Sequence, residues 1–330
     1  MKVGLYLMTR KGLAVLDAAV RDGVEIAHVT TAPATGMDDD AHREIEKAAK
    51  QLGVPAYLRA PAPEHRGDWS IAAGWRWMID DPNLIVFHDS MLPRYRGFSP
   101  MVTALVSGER ELGATAFWAK PGLPADTGPI VAQRSFPITY PIRADEAIDG
   151  LCRIYSWLTD RTLGMLAALG QPLTMEQDES RASYSLFRDD LDYRIDWGWS
   201  ADRIQRLVDA VSKPFPGAWT LMEGAPGPTG QAGRTTRGPA VTTFGRGVGG
   251  GGGAVPVGVQ ATPTDQHRIR VHAVSHVPDR RIEDRQPGKF AYIEEKCPVV
   301  VCGQGLLRID SATAGGYWWG SNAGLKTRLV

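Results

Sequence analysis

The chain has 330 residues, 43% of them apolar and 22% charged, and its 37 basic residues cancel its 37 acidic ones. That composition fits a globular protein of about two domains and leaves no net field to attract a nucleic acid or an anionic membrane. No apolar run approaches the roughly 18 residues of a membrane-spanning helix. The apolar start at residues 3–8 is too short for a signal peptide and reads as a buried strand, so a cytoplasmic protein is expected. Cys152, Cys297 and Cys302 show no CxxC pair, and the seven histidines show no HExxH spacing. Reduced thiols and no metal are expected.

After the strand at 3–8, residues 12–21 place Leu13, Val15, Leu16, Ala19 and Val20 at helical spacing. A second strand is expected at 24–29. A helix with its charges outward follows at 38–52, ended by Gly53 and Pro55. Further strands fall at 70–73 and 84–87, a helix at 101–107, and a strand pair at 112–119 and 130–136 around a Gly/Pro-rich turn. Residues 144–169 read as a long amphipathic helix closed by Gly170-Gln171-Pro172. This alternation predicts an α/β fold: an open, mostly parallel, Rossmann-like sheet with helices on both faces.

Beyond Pro172 the character changes. Residues 224–256 are roughly half Gly and Pro, with five consecutive glycines from Gly249 to Gly253. Such a stretch buries too little apolar surface to offset its ordering entropy and reads as a disordered insertion. Residues 269–274, 298–302 and 306–309 are β-like and predict a smaller, β-rich C-terminal domain. The expected division is a first domain over 1–180, a connecting segment over 181–223, the insertion over 224–256 and the β-rich domain over 257–330. Tyr317-Trp318-Trp319 need burial in that domain or against a partner, which leaves a homodimer open.

Ligands of open α/β sheets bind beyond the carboxyl ends of the strands. The strand at 84–87 runs directly into His88, and a loop continues through Asp89 and Ser90 to Gly97. A histidine there can exchange protons near neutral pH. In isolation such a residue is more often structural; its context decides.

Ser90-Met91-Leu92-Pro93 with Arg94-Tyr95-Arg96-Gly97, followed by Asp126-Thr127-Gly128, resembles the signature of the 10-formyltetrahydrofolate-dependent formyltransferases. That superfamily includes the methionyl-tRNA, glycinamide ribonucleotide and sugar N-formyltransferases. Its motif reads roughly Asn-x-His-x-Ser-Leu-Leu-Pro-x-x-x-Gly, with a later aspartate before Thr-Gly. Gly74-Trp75-Arg76-Trp77-Met78-Ile79 is similar to the segment bordering the folate pocket, especially in the sugar enzymes. Ile195-Asp196-Trp197 and Pro214-Phe215-Pro216-Gly217-Ala218-Trp219 resemble elements of the tRNA and sugar enzymes. Cys302-Gly303-Gln304-Gly305-Leu306-Leu307-Arg308 resembles a hairpin of their C-terminal domain. The resemblance covers nearly the whole chain outside 224–256.

The resemblance implies a catalytic domain with a folate site over 1–180. It implies an N-formyltransferase that uses 10-formyltetrahydrofolate as co-substrate, without metal or membrane. The implied partner is a small-molecule amine, first a nucleotide-linked amino sugar, next an amino-acid-type acceptor. Methionyl-tRNA ranks third, because zero net charge disfavours a nucleic-acid partner. A formyl-folate hydrolase and a non-catalytic folate-binding protein stand as alternatives. The implied catalytic pair is His88 and Asp126. Trp75, Trp77 and Met78 would wall the folate on one side and Leu123, Pro124 and Ala125 on the other, and Arg76, Leu92 and Gly97 would also bind it. Thr9-Arg10-Lys11 follows the first strand at its carboxyl end, where Arg10 and Lys11 would meet an acceptor phosphate, and Ser90 and Tyr95 are further candidates for substrate binding. Arg94 and Arg96 would meet acidic groups or solvent. One position departs: the family asparagine falls on Val86, which cannot donate a hydrogen bond. Loss of such a donor typically costs about 10²–10³ in rate, which leaves three explanations: Asp89 if protonated, Asn83 or a backbone amide replaces it; the reaction demands less oxyanion help; or the enzyme is slow or inactive as a formyltransferase. The first or second is expected.

Overall fold

The computed structural model describes residues 1–38, 41–59, 67–222, 268–314 and 327–330, and the backbone of 317–318. The expected insertion at 224–256 and the side chains of Tyr317, Trp318 and Trp319 lie outside the described residues.

Strand β1 (Lys2–Leu7) is buried from Val3 onward, and helix α1 (Thr9–Arg21) lays Val15, Leu16, Ala18 and Ala19 back into the core. The chain continues through β2 (Glu25–Thr31), α2 (His42–Gln51), β3 (Ala56–Leu58), β4 (Trp69–Ala73), β5 (Leu84–His88) and β6 (Arg96–Gly97). It then forms α3 (Pro100–Ser107), β7 (Glu111–Trp118), β8 (Ile130–Pro137) and α4 (Ala144–Leu169). A seven-stranded sheet runs in the order β3-β2-β1-β4-β5-β7-β8. It is parallel from β3 to β5 and antiparallel at β7 and β8. The antiparallel β7–β8 pair is a hairpin; parallel strands would need a longer crossover connection. Helix α2 starts later than its charge pattern suggests, because Ala41 is left-handed and the Asp38 N–H bonds the Pro214 carbonyl instead of a helical partner.

After α4 come β9 (Tyr184–Ser185), which pairs with β6, and α5 (Ala201–Ala210). The second sheet comprises β10 (Ala218–Leu221), β11 (Arg268–Val277), β12 (Phe290–Glu294), β13 (Cys297–Val301), β14 (Leu306–Ala314) and β15 (Tyr317–Trp318). It is antiparallel in the order β10-β11-β14-β13-β12, with β15 on β14. Its edge strand β10 lies in the segment read as a connector, so this sheet begins before the Gly/Pro-rich stretch. One apolar cluster joins both units: Leu5, Ile85 and Phe87 of the first sheet, Leu151 and Leu158 of α4, Ile204 and Leu207 of α5, and Trp219 and Val271 of the second sheet. No helix among the described residues is long and apolar enough to cross a membrane.

The junction holds a buried carboxylate that one distant charge offsets only in part. Asp209 of α5 is 7% exposed, its Oδ2 has no hydrogen-bond partner, and Arg143 Nη1 is 3.9 Å away. Burial pushes its pKa up to about 6; Arg143 opposes this and Glu146 adds to it. A folded pKa above the unfolded one means that stability is fully present below the unfolded value and falls as the pH rises through the folded one. The penalty above pH 6 is about 2 kcal/mol after allowance for screening. Asp209→Asn is therefore expected to raise the Tm at pH 8 by about 4 °C and to leave it unchanged near pH 4. Thermal melts across that range check this; an equal shift at both ends contradicts it.

Candidate active site

The apolar run of β5 is held between β4 and β7, which places His88 at the strand's carboxyl end opposite Thr115. His88 is only 8% exposed. Its Nε2 lies 2.8 Å from the Tyr95 carbonyl oxygen. A carbonyl only accepts, so Nε2 carries a proton, and in the neutral ring Nδ1 presents its lone pair. Nδ1 is 3.8 Å from Asp126 Oδ2. That is too long for a direct hydrogen bond, yet close enough for the carboxylate to stabilise a positive charge on the ring.

Asp126 is fixed from several sides. Its backbone is left-handed at φ 59°, a conformation that Asp tolerates better than most residues. Its Oδ2 accepts the Gly97 N–H at 2.8 Å, and its carbonyl accepts Gln177 Nε2 at 2.8 Å. Gly97 itself has φ 98°, and a Cβ there would lie 2.5 Å from the Ser185 carbonyl oxygen. The β6–β9 approach requires glycine at this position.

Several residues expected to touch ligands are instead bound within the protein. Ser90 Oγ donates to the Arg94 carbonyl, and Ser90's own carbonyl accepts from Thr115 Oγ1, each at 2.6 Å. Leu92 is buried; its N–H bonds Thr115 Oγ1 and its carbonyl accepts from Gln133. The Tyr95 hydroxyl donates to Glu109 at 2.6 Å, so Tyr95 serves His88 through its carbonyl alone. Arg94 also pairs with Glu109, and Arg96, 1% exposed, forms a two-pronged pair with Glu179. Arg10 pairs with Asp149 and Lys11 with Asp89, so neither side chain offers an acceptor an unclaimed charge.

Both side-chain replacements for the missing donor also fall. Asp89 accepts from Lys11 and, at 2.6 Å, from the Tyr155 hydroxyl. Burial opposes its ionisation, but the Lys11 charge and these hydrogen bonds prevail and hold its carboxyl below the ordinary range. It is an ionised acceptor and has no proton to donate. Asn83 precedes β5, at the strand end away from His88, where its amide donates to the Asp68 carbonyl. Val86 shares the His88 face of β5 and packs against the cluster of Tyr6, Ala72 and Leu84.

The two segments expected to wall the folate differ in exposure. Trp75 packs edge-on against Tyr6 and Trp77, and its indole N–H is buried without a partner. Trp77 lies under Arg59, while Arg76 is exposed and Met78 is 89% exposed. Leu123, Pro124 and Ala125 form an exposed loop that runs into Asp126. No group of His, Cys, Asp and Glu side chains that could hold a metal occurs among the described residues. Sequence reasoning missed Gln177, Ser183 and Tyr155. Gln177 bonds the carbonyls of Asp126 and Gly128, Ser183 Oγ accepts the Tyr95 N–H, and Tyr155 bonds Asp89. None lies in the motif they support, so only the tertiary fold reveals them.

Comparison with known proteins places this geometry. Residues 78–149, which contain His88 and Asp126, match the family model described as formyl transferase, and residues 189–232 match that of the formyl transferase C-terminal domain. A methionyl-tRNA formyltransferase of Thiobacillus denitrificans is 32% identical over 233 residues, 64% of this chain and 73% of that protein. One of Paracoccus denitrificans is 29% identical over 54% of this chain and 64% of its own length. The chain belongs to the formyltransferase family. Among solved structures, WlaRD, a sugar 3N-formyltransferase with dTDP and 5-N-formyl-THF, superposes with a TM-score of 0.60 at 14% identity, covering 96% of this chain and 98% of that one. The N-formyltransferase of Helicobacter canadensis, in complex with folinic acid and dTDP-3-aminofucose, gives 0.60 at 12% identity over 95% and 100%. At these identities the likeness is one of fold.

Proposed function

We propose that the protein moves a formyl group from 10-formyltetrahydrofolate to the primary or hydroxylated amine of a small acceptor, first a nucleotide-linked amino sugar. The observation that carries this reading is the His88–Asp126 pair at the carboxyl edge of β5, with Nδ1 available to a proton. The acceptor nitrogen attacks the formyl carbon, its proton passes to His88 Nδ1, and the carbonyl oxygen becomes an oxyanion. The carbon–nitrogen bond to the folate then breaks, and the proton moves from the imidazolium to the departing folate nitrogen. The products are the N-formyl acceptor and tetrahydrofolate. Asp126 stabilises the imidazolium between these steps. With Asp89 ionised, Asn83 remote and Val86 apolar, the oxyanion's donor in this reading is a backbone amide. The half-buried Trp75 and Trp77, the exposed Met78 and the exposed loop Leu123–Ala125 are the apolar surface this reading assigns to the flat pterin.

The amino-sugar reading draws support from the two structural neighbours, which match almost their whole lengths and carry dTDP or a dTDP-amino sugar. A second reading, methionyl-tRNA, is favoured by the names of the sequence relatives. Zero net charge and the run Asp38-Asp39-Asp40 weigh against a polyanion. Tetrahydrofolate release, followed with nucleotide-linked amino sugars, amino acids and methionyl-tRNA, tests both. Release that requires an amino sugar is expected. Release only with methionyl-tRNA would establish the second reading, and release without any amine would establish a hydrolase.

A further inference from the structure

We propose that Lys11, Asp89 and Tyr155 form a buried clamp that sets the position of His88 from both of its chain neighbours. The inference rests on the reading of His88 as the proton-transfer group. The Tyr155 hydroxyl of α4 lies 3.1 Å from the Phe87 carbonyl oxygen and 2.6 Å from Asp89 Oδ1. One phenol therefore contacts the residue before His88 and the residue after it. Lys11, in the first turn of α1, takes the other Asp89 oxygen, and its ammonium stands 5.7 Å from the centre of the Tyr155 ring. The Phe87 and Tyr155 rings meet edge to face at 5.5 Å, and Arg10–Asp149 ties the same two helices alongside. The side chains of Lys11 and Asp89 are 13% and 15% exposed, so the pair is shielded from solvent.

This arrangement matters because little else orients the imidazole. Its one hydrogen bond runs from Nε2 to Tyr95, and Asp126 is too distant for a second. Val86, on the same face two residues earlier, has no polar group to contribute. The ring therefore takes its placement from the backbone at 87–89, where the ladder ends and the chain turns through Ser90. Small misplacements of a reacting group are costly, on the order of 10²-fold for 1 Å. Lys11, Asp89 and Tyr155 are positioning residues: they act on His88 and touch no reacting atom.

The test uses the full chain and two substitutions. Tyr155→Phe removes one oxygen and keeps the ring packing. Asp89→Asn keeps the shape and removes the charge. Each is compared with wild type by kcat, by KM for donor and acceptor, and by the nitrogen–proton spectrum of histidine-labelled protein, with the His88 signals identified by their loss in His88→Ala. The expected result is kcat lowered about tenfold, both KM values held within about twofold, and the His88 ring signals broadened or split while the other histidines stay unchanged. A single sharp wild-type His88 signal in both variants would overturn the clamp, as would a rate loss that only tracks the unfolded fraction. The spectrum requires no substrate, so failure of the clamp is read separately from a mistaken donor or acceptor.

Discussion

Replacement of His88 with alanine is expected to lower kcat for formyl transfer by about 10³-fold, with KM for the formyl donor little changed. General acid–base groups contribute typically 10²–10⁴, and His88 is positioned to act twice, taking the amine proton and returning it to the folate nitrogen. The effect on folding should be small. The substitution removes one hydrogen bond, to the Tyr95 carbonyl, worth about 1 kcal/mol, and leaves the β5 ladder and the Tyr155 and Lys11 contacts of its neighbours in place. Steady-state kinetics beside a thermal melt checks this. A fully folded His88→Ala protein that retains more than a tenth of the wild-type rate would remove His88 from the chemistry.

Asp126→Asn is expected to lower kcat by about 10²-fold. Asparagine can still accept the Gly97 N–H through its amide oxygen, so the β6 segment and the Tyr95 carbonyl that holds His88 should stay where they are. What disappears is the negative charge 3.8 Å from His88 Nδ1. The substitution thus isolates the electrostatic contribution. Asp126→Ala removes both charge and acceptor, frees the Gly97 N–H, and should cost about tenfold more. Measurement of kcat for the two variants, each normalised to folded protein, separates the contributions. Equal losses would mean that Asp126 works by holding the loop rather than by its charge.

The site was legible in the sequence where chemistry sits on neighbouring residues. The apolar run 84–87 ending in a histidine identifies the carboxyl edge of a strand, and His88 and Asp126 meet there. Helix α4 was also readable, since its apolar spacing and terminal Gly170 are local signals, and the observed helix spans Ala144–Leu169. β3 was not, because three residues show no period. α5 does carry a signal in its Ser200 cap and in Ile204, Leu207 and Val208. Arg10, Lys11, Ser90 and Tyr95 have partners within the protein that the sequence did not show, for one physical reason. A polar or basic residue near a motif looks available until the fold supplies its partner. Asp149 lies 139 positions from Arg10 and Asp89 lies 78 from Lys11. Asp89 shows the same limit from the other side: next to His88 it reads as a donor, and only the approach of α1 and α4 makes it a fixed anion.

The central claim is that His88 and Asp126 carry a formyl group to an amine and not to water. It is tested most directly by supplying 10-formyltetrahydrofolate labelled with ¹³C in the formyl group, together with an amine that supports turnover, and locating the label by NMR. The expected result is label in the N-formyl group of the acceptor, formate at background, and unreacted donor with His88→Ala. Label appearing as formate at the same rate with and without the amine would contradict it.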